Sequence, residues 1–285
     1  MTTQFIAEIS SNHNADLSRC LKFVDTAADI GCDGVKFQLF RLEELFAQEI
    51  LRVSEKHRAR KKWELPPEFL PAIAAKSKER GLAFSCTPFD LLAVEELLPY
   101  VDFYKIASYE LTWPALLEAC ARTGKPVVIS SGMADLQEVQ NAVSILRNAG
   151  CNDITVLHCV SQYPSSPEQS NLSCIETIRN ACDCQSGWSD HTVSAGVVYR
   201  AVHAFSASMI EFHLDLEGDG VEYQGGHCWL PEQMAQVIRN VKEGLSADGD
   251  GVKRHVPSEE HERWWRADPE DGLRPFKHIR SSFTG

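Results

Sequence analysis

The chain has 285 residues, 44% hydrophobic and 24% charged, with a formal net charge of −12. That length suits one large domain or two ordinary ones, with enough interior to stand without disulfide staples. The acidic balance excludes a nonspecific nucleic-acid surface, which needs a basic face, and no stretch approaches the roughly 18 apolar residues of a membrane span. A small anionic substrate stays open, because a local lysine cluster can invert the field inside a cleft.

The amino terminus, MTTQFIAEIS, has no basic n-region and no long apolar h-region, so it does not read as a signal peptide. It opens a first strand at 5–10, and a helix follows at 18–30, where Leu21, Val24, Ala27, Ala28 and Ile30 share a face. A second strand at 34–40 leads into a long connection, 41–67, carrying Lys56, His57, Arg58, Arg60, Lys61 and Lys62. That segment reads either as a lid over a site or as a solvated charged stretch. Strands at 82–87, 103–108, 126–131, 154–159, 185–190 and 209–214 then alternate with helices at 90–98, 114–122, 135–148, 172–182, 194–206 and 231–244, and one more helix, 68–80, precedes them.

Gly31, Gly81, Gly124 and Gly150 each follow a helix and precede a strand, as helix-ending glycines do. Pro114 and Pro231 stand where helices begin, where the missing N–H costs nothing. The turn after the first strand, SSNHNADL, is not the glycine-rich turn of a doubly wound fold. Eight strand–helix units in order predict an α/β fold, a (β/α)8 TIM barrel, over 1–245. Residues 246–285 form a C-terminal extension whose Trp264 and Trp265 are expected to pack on the barrel or a partner. The ten cysteines are scattered without CxxC pairs, which suits a reduced, cytoplasmic protein.

In such a barrel the chemistry gathers at the carboxyl ends of the strands. Lys36 and Lys105 sit in apolar settings, GVKFQ and FYKIA, where burial is costly unless an anion answers them. With Ser108, Ser130 and Ser189 as donors they suit a doubly anionic ligand such as a phosphate; pairing with Glu8 or Glu110 is the plainer alternative. His191 and His213 end adjacent strands, with Asp190 and Glu211 close by, and could hold a divalent metal with open positions. Pattern alone leaves aldolase, lyase and epimerase chemistries open.

The segments AEISSNH (7–13), GVKFQ (34–38), SCTPF (85–89), YKIASYE (104–110), ISSGM (129–133), LHCVSQYP (157–164), GWSDHT (187–192) and EFH (211–213) resemble the sialic acid synthase family, one motif per strand. The resemblance implies condensation of phosphoenolpyruvate with a sugar aldehyde to a 2-keto acid. It implies that Lys36, Thr87 and Lys105 hold phosphoenolpyruvate, with Ser108, Ser130, Ser161 and Ser189 near its phosphate. His191 and His213 match the ligands of a manganese or magnesium ion. Glu8, Glu110 and Glu211 match the catalytic acids, and Gln38 and Tyr163 face the sugar.

The departures fall on the acceptor side. Family members usually continue into an antifreeze-like domain that lends an arginine to a neighbouring subunit, and no such domain is expected within these 285 residues. Any homodimer is therefore expected to use another surface. Where the family tends to read EKHFT and then a PGPD-like turn, this chain reads EFHLDLEGDG and VEYQGGHCW. Gln224 falls at that turn's acidic position, as an expected acceptor contact, and Ser161 falls where an asparagine is common. His227 either reaches the site or merely bends the chain. In the extension, Arg266, Asp268, Asp271 and Arg274 either complete the acceptor site or belong to a packing arm.

Overall fold

The computed structural model describes residues 3–282, and the chain divides into two compact units, 1–245 and 246–285. Eight parallel strands form a closed ring in sequence order: β1 (Gln4–Glu8), β2 (Gly34–Leu39), β3 (Ala83–Pro88), β4 (Phe103–Ile106), β5 (Val127–Ser130), β6 (Ile154–Cys159), β7 (Gln185–Asp190) and β8 (Met209–Leu214). Pairing of β1 with β8 closes the barrel. The helices are α1 (Leu17–Asp29), α2 (Leu70–Glu79), α3 (Leu91–Leu97), α4 (Pro114–Arg122), α5 (Leu136–Asn148), α6 (Cys174–Cys182), α7 (Ala195–His203) and α8 (Pro231–Ser246). This is the expected (β/α)8 architecture. None of the described helices is long and apolar enough to cross a membrane.

Local chemistry accounts for the helix ends. Asp16, Asp90 and Asp135 each accept a backbone N–H of the first turn, and Asp135 completes a capping box with Glu138. The four predicted helix-ending glycines all lie at positive φ, where a side chain would be strained. Outward-facing strand residues join the helices in one large core, whereas Ile6, Phe103, Val128, Leu157 and Met209 form a separate small cluster. Two residues further along β1, β4, β5, β6 and β8, and so on the same face, stand Glu8, Lys105, Ser130, Cys159 and Glu211. The barrel interior is thus one apolar layer with a polar layer directly above it.

Two segments depart from the minimal barrel. Residues 41–67 form a chain of short helical turns, Leu42–Leu45, Gln48–Val53, Glu55–Arg58 and Ala59–Trp63. Within it Lys61 pairs with Glu43 and Glu64, and Arg60 lies over Phe46 and Trp63, so part of the basic cluster is answered locally. A ninth strand, β9 (Cys228–Trp229), pairs with the end of β8 and was not predicted. In the C-terminal unit, Asp268 accepts the Glu270 and Lys277 N–H groups and Asp271 pairs with Arg280. Trp264 and Trp265 are 45% and 37% exposed.

Asp190 ends β7 facing outward. Fully buried, it accepts from Trp188 Nε1 (3.0 Å), Trp229 Nε1 (2.9 Å), Thr192 Oγ1 (2.7 Å) and the Val193 N–H (3.1 Å). Asp190 is expected close by the histidines, but its carboxylate turns away from them and ties β7 to β9. Replacing it strands two buried indole N–H groups. Asp190→Ala is expected to lose roughly 3 kcal/mol in urea unfolding; a loss below about 1 kcal/mol would contradict this role.

Candidate active site

Strand register sets the first part of the site. Glu8 is the register partner of Lys36 on one side and His213 on the other, and Ser189 is that of Glu211. Lys36 Nζ lies 2.6 Å from Glu8 Oε2, 3.6 Å from Glu211 Oε2 and 3.3 Å from Thr87 Oγ1. Lys105 Nζ lies 3.5 Å from Glu211 Oε1 and donates to Ser130 Oγ at 2.6 Å. Ser189 Oγ donates to Glu211 Oε1 at 3.0 Å, and Gln38 Nε2 to Glu8 Oε1 at 2.7 Å. The lysines are thus answered by barrel carboxylates, though Lys105 by Glu211 rather than by Glu110.

The electrostatics follow from burial and pairing. Burial alone would lower Lys36, but the charges of Glu211 and Glu8 outweigh it and hold the ammonium above its ordinary value. Lys105 is lowered, by burial first and then by the charge of Lys36, with Glu211 opposing. Glu110, on the turn after β4, is pushed up to about 7, chiefly by burial and against the pull of Lys105. Its Oε2 is buried without a hydrogen-bond partner.

A second cluster lies around Gly132, after β5. The Gly132 N–H donates to Ser108 Oγ at 3.0 Å, and that hydroxyl meets Cys159 Sγ at 3.3 Å. A Cβ at position 132 would stand 2.1 Å from Ser161 Oγ and 2.9 Å from Ser108 Oγ, so only glycine lets the two serines converge. The Ser161 hydroxyl is buried and unpartnered. Ser131, by contrast, donates to the Leu157 carbonyl.

The third part is aromatic. The His191 and His213 ring centres are 5.5 Å apart, and Tyr163 packs 4.2 Å from His191 and 6.1 Å from His213. His191 Nδ1 meets the Val160 carbonyl at 2.7 Å and His213 Nδ1 meets Glu222 Oε2 at 3.0 Å. Each imidazole keeps Nε2 outside those bonds. Burial, and then the neighbouring His213, hold His191 down at about 3, so it stays neutral as a ligand must. These residues fit a divalent ion.

Some expectations change. Gln224 is exposed and donates to the Asp219 carbonyl; the carboxylate that turns inward is Glu222, two residues earlier. Glu222 Oε1 accepts from Ser10 Oγ and Ser11 Oγ, both at 2.6 Å. Sequence reasoning missed it, although a lone acid between glycines, nine residues past His213, was a usable signal. His158 faces outward, bonded to the Ser170 carbonyl and packed on Trp188, and Asn12 ties its loop to the Leu214 carbonyl.

A parallel barrel with buried lysines, converging hydroxyls and an imidazole cluster at its strand ends has the layout of a TIM-barrel enzyme. The family model "NeuB family" matches residues 23–253, and the chain belongs to that family of synthases. It is 36% identical to an uncharacterized protein of Methanocaldococcus jannaschii over 90% of this chain and 75% of that one. It is 31% identical to an N,N'-diacetyllegionaminic acid synthase of Campylobacter jejuni, over 90% of this chain and 81% of that one. Among solved structures, the N-acetylneuraminic acid (sialic acid) synthetase of Leptospira borgpetersenii, in complex with citrate, superposes with a TM-score of 0.80 at 30% identity, covering 92% and 90% of the two chains.

The raised Glu110 carboxyl makes stability depend on pH. Its proton favours the folded state, so that contribution is complete below about 4.5, fades as pH rises toward 7, and is gone above it. Glu110→Gln is therefore expected to gain roughly 1–3 kcal/mol over the wild type between pH 4.5 and 8. A stability difference that stays flat across that range in thermal unfolding would refute the assignment.

Proposed function

We propose that this synthase condenses phosphoenolpyruvate with a sugar or sugar-like aldehyde, releasing phosphate and forming a 2-keto-3-deoxy, sialic-acid-like acid, with a divalent metal at His191 and His213. The observation that carries this reading is a pair of buried lysines joined through Glu211, with Lys105 hydrogen-bonded to Ser130, at the strand ends that also carry the Ser108, Ser161 and Gly132 cluster. An anion entering there meets ammonium groups and hydroxyl donors that are already in place. The names of its relatives, synthases of N-acetylneuraminic and diacetyllegionaminic acids, support an amino-sugar acceptor.

Lys36 and Lys105 answer the substrate carboxylate, with Thr87 oriented beside Lys36. Ser108, Ser130, Ser161 and Ser189 line the phosphate side. Gln38 and Tyr163 face the acceptor from the mouth. When bound, a manganese or magnesium ion supplies positive charge that the lysine–glutamate pairs leave unprovided, and polarises the acceptor carbonyl.

The methylene carbon of phosphoenolpyruvate forms the new bond to the aldehyde carbon, and positive charge develops at the central carbon. Glu8 and Glu211 hold the two ammonium groups so that neither drifts toward that charge. Water adds to the central carbon, giving one proton to Glu110, which returns it to the aldehyde-derived oxygen that took up the C=O pair. The carbon–oxygen bond to phosphate then breaks, the remaining hydroxyl proton leaves with the inorganic phosphate, and the keto group forms. A carboxyl held near 7 is matched to accepting that proton at neutral pH.

Phosphate release from phosphoenolpyruvate with manganese, across a panel of aldehyde sugars including N-acetylmannosamine, tests the proposal. Release is expected with one sugar only, and Lys105→Met and His213→Ala are each expected to lower kcat at least about 100-fold. Pyruvate consumption without phosphate release would replace it with a metal-dependent aldolase or lyase. Phosphoenolpyruvate binding without turnover on any acceptor would replace it with a binding barrel.

A further inference from the structure

The loop between β8 and β9 brings in two groups that the two-histidine metal site does not require. Pairing of His213 with Cys228 in register places His227 beside the mouth, although it lies 14 positions after His213. His227 is buried, and its ring centre is 5.0 Å from that of His213 and 5.1 Å from that of Tyr163. Its Nδ1 is buried with no hydrogen-bond partner. Its Nε2 lies 3.7 Å from Glu222 Oε2, the same oxygen that meets His213 Nδ1 at 3.0 Å. One ligand atom from each of His213, Glu222, His227 and Cys228 falls within 4.8 Å of all the others.

Resting on the metal reading above, we propose that His227 is a third imidazole ligand of this chain's metal centre, with Glu222 as the carboxylate that positions His213 and His227 together. An imidazole bound at about 2.1 Å holds its ring centre about 3.2 Å from the ion, so two in neighbouring positions on one ion have centres about 5 Å apart. The 5.0 and 5.5 Å separations from His213 to His227 and His191 match that spacing. Each of the three rings has one nitrogen turned to an oxygen: His191 to the Val160 carbonyl, and His213 and His227 to Glu222. A carboxylate behind an imidazole fixes its tautomer and raises its basicity as a ligand.

Glu222 is itself anchored. Its Oε1 accepts from the Ser10 and Ser11 hydroxyls and from the Ser11 N–H at 3.2 Å, so the carboxylate is tied to the loop after β1. The alternative role for His227, a hydrogen bond to the acceptor sugar, predicts a different result in the same experiment.

The test is manganese binding to the substrate-free protein, by titration and by pulsed EPR that counts coordinated imidazole nitrogens. Wild type is expected to show three such nitrogens and His227→Asn two, with affinity reduced about 10- to 100-fold. Glu222→Gln is expected to weaken manganese about 10-fold while keeping three nitrogens. Circular dichroism and thermal unfolding in chelator verify that both variants fold, and His227→Gln replaces a variant that does not. Two nitrogens in the wild type, or unchanged manganese affinity in His227→Asn with a raised KM for the acceptor, would overturn the proposal. Because no substrate is present, three nitrogens in a protein that never releases phosphate would sink the synthase reading and leave this one standing.

Discussion

Two ammonium groups and two carboxylates are buried at the centre of this barrel, and none of them could stay charged there alone. Removing an ion from water costs several kcal/mol even after relaxation, and only close, well-bonded partners offset it. Here Lys36 bridges Glu8 and Glu211, and Glu211 reaches on to Lys105, while Ser130, Ser189, Thr87 and Gln38 take up further donors and acceptors. An apolar layer of similar volume would stabilise the barrel at least as well. The network is a functional commitment made inside the core, and the strand register that assembles it is the register that closes the barrel.

The network also limits what can bind. Two carboxylates already face the two lysines, so an anionic substrate does not meet two free cations. It would meet a nearly balanced set of charges and hydroxyls already held in place by hydrogen bonds. Glu110 stands apart from that balance: its Oε2 is buried without a hydrogen-bond partner, and burial raises its carboxyl. Gly132 serves the neighbouring wall by having no side chain, since a single carbon there would fill the space between Ser108 and Ser161.

The mouth is organised by different means. His191 and His213 come from strand ends, but Glu222 and His227 arrive through a loop that β9 clips against β8. Asp190 holds that arrangement from behind through the indoles of Trp188 and Trp229, one on β7 and one on β9. A residue that looks like a ligand in the motif GWSDHT is thus a fastener, and an acid between glycines becomes the partner of a histidine. The segment where the chain departs from the resemblance to sialic acid synthases is this loop.

Much of this was legible along the chain because parallel strands buried on both faces leave a strong trace. Apolar runs alternating with amphipathic stretches, together with glycines at helix ends, determined the eight-fold order. The charged residues embedded in those runs, Lys36 and Lys105 above all, marked the strand ends because a lysine there is costly unless an anion answers it. What only the tertiary structure decided lies where no period applies. Asp190 and His158 lie near the ends of β7 and β6, and the partners that hold them, the Trp229 indole N–H and the Ser170 carbonyl, come from outside those strands. Glu222 and Gln224 share one short helical turn, two residues and so about 200° apart, and docking of that turn chose which faces inward. The sequence by itself determined what repeats, since periodic burial constrains many residues at once; folding decided the single contacts, because each depends on a partner remote in the chain.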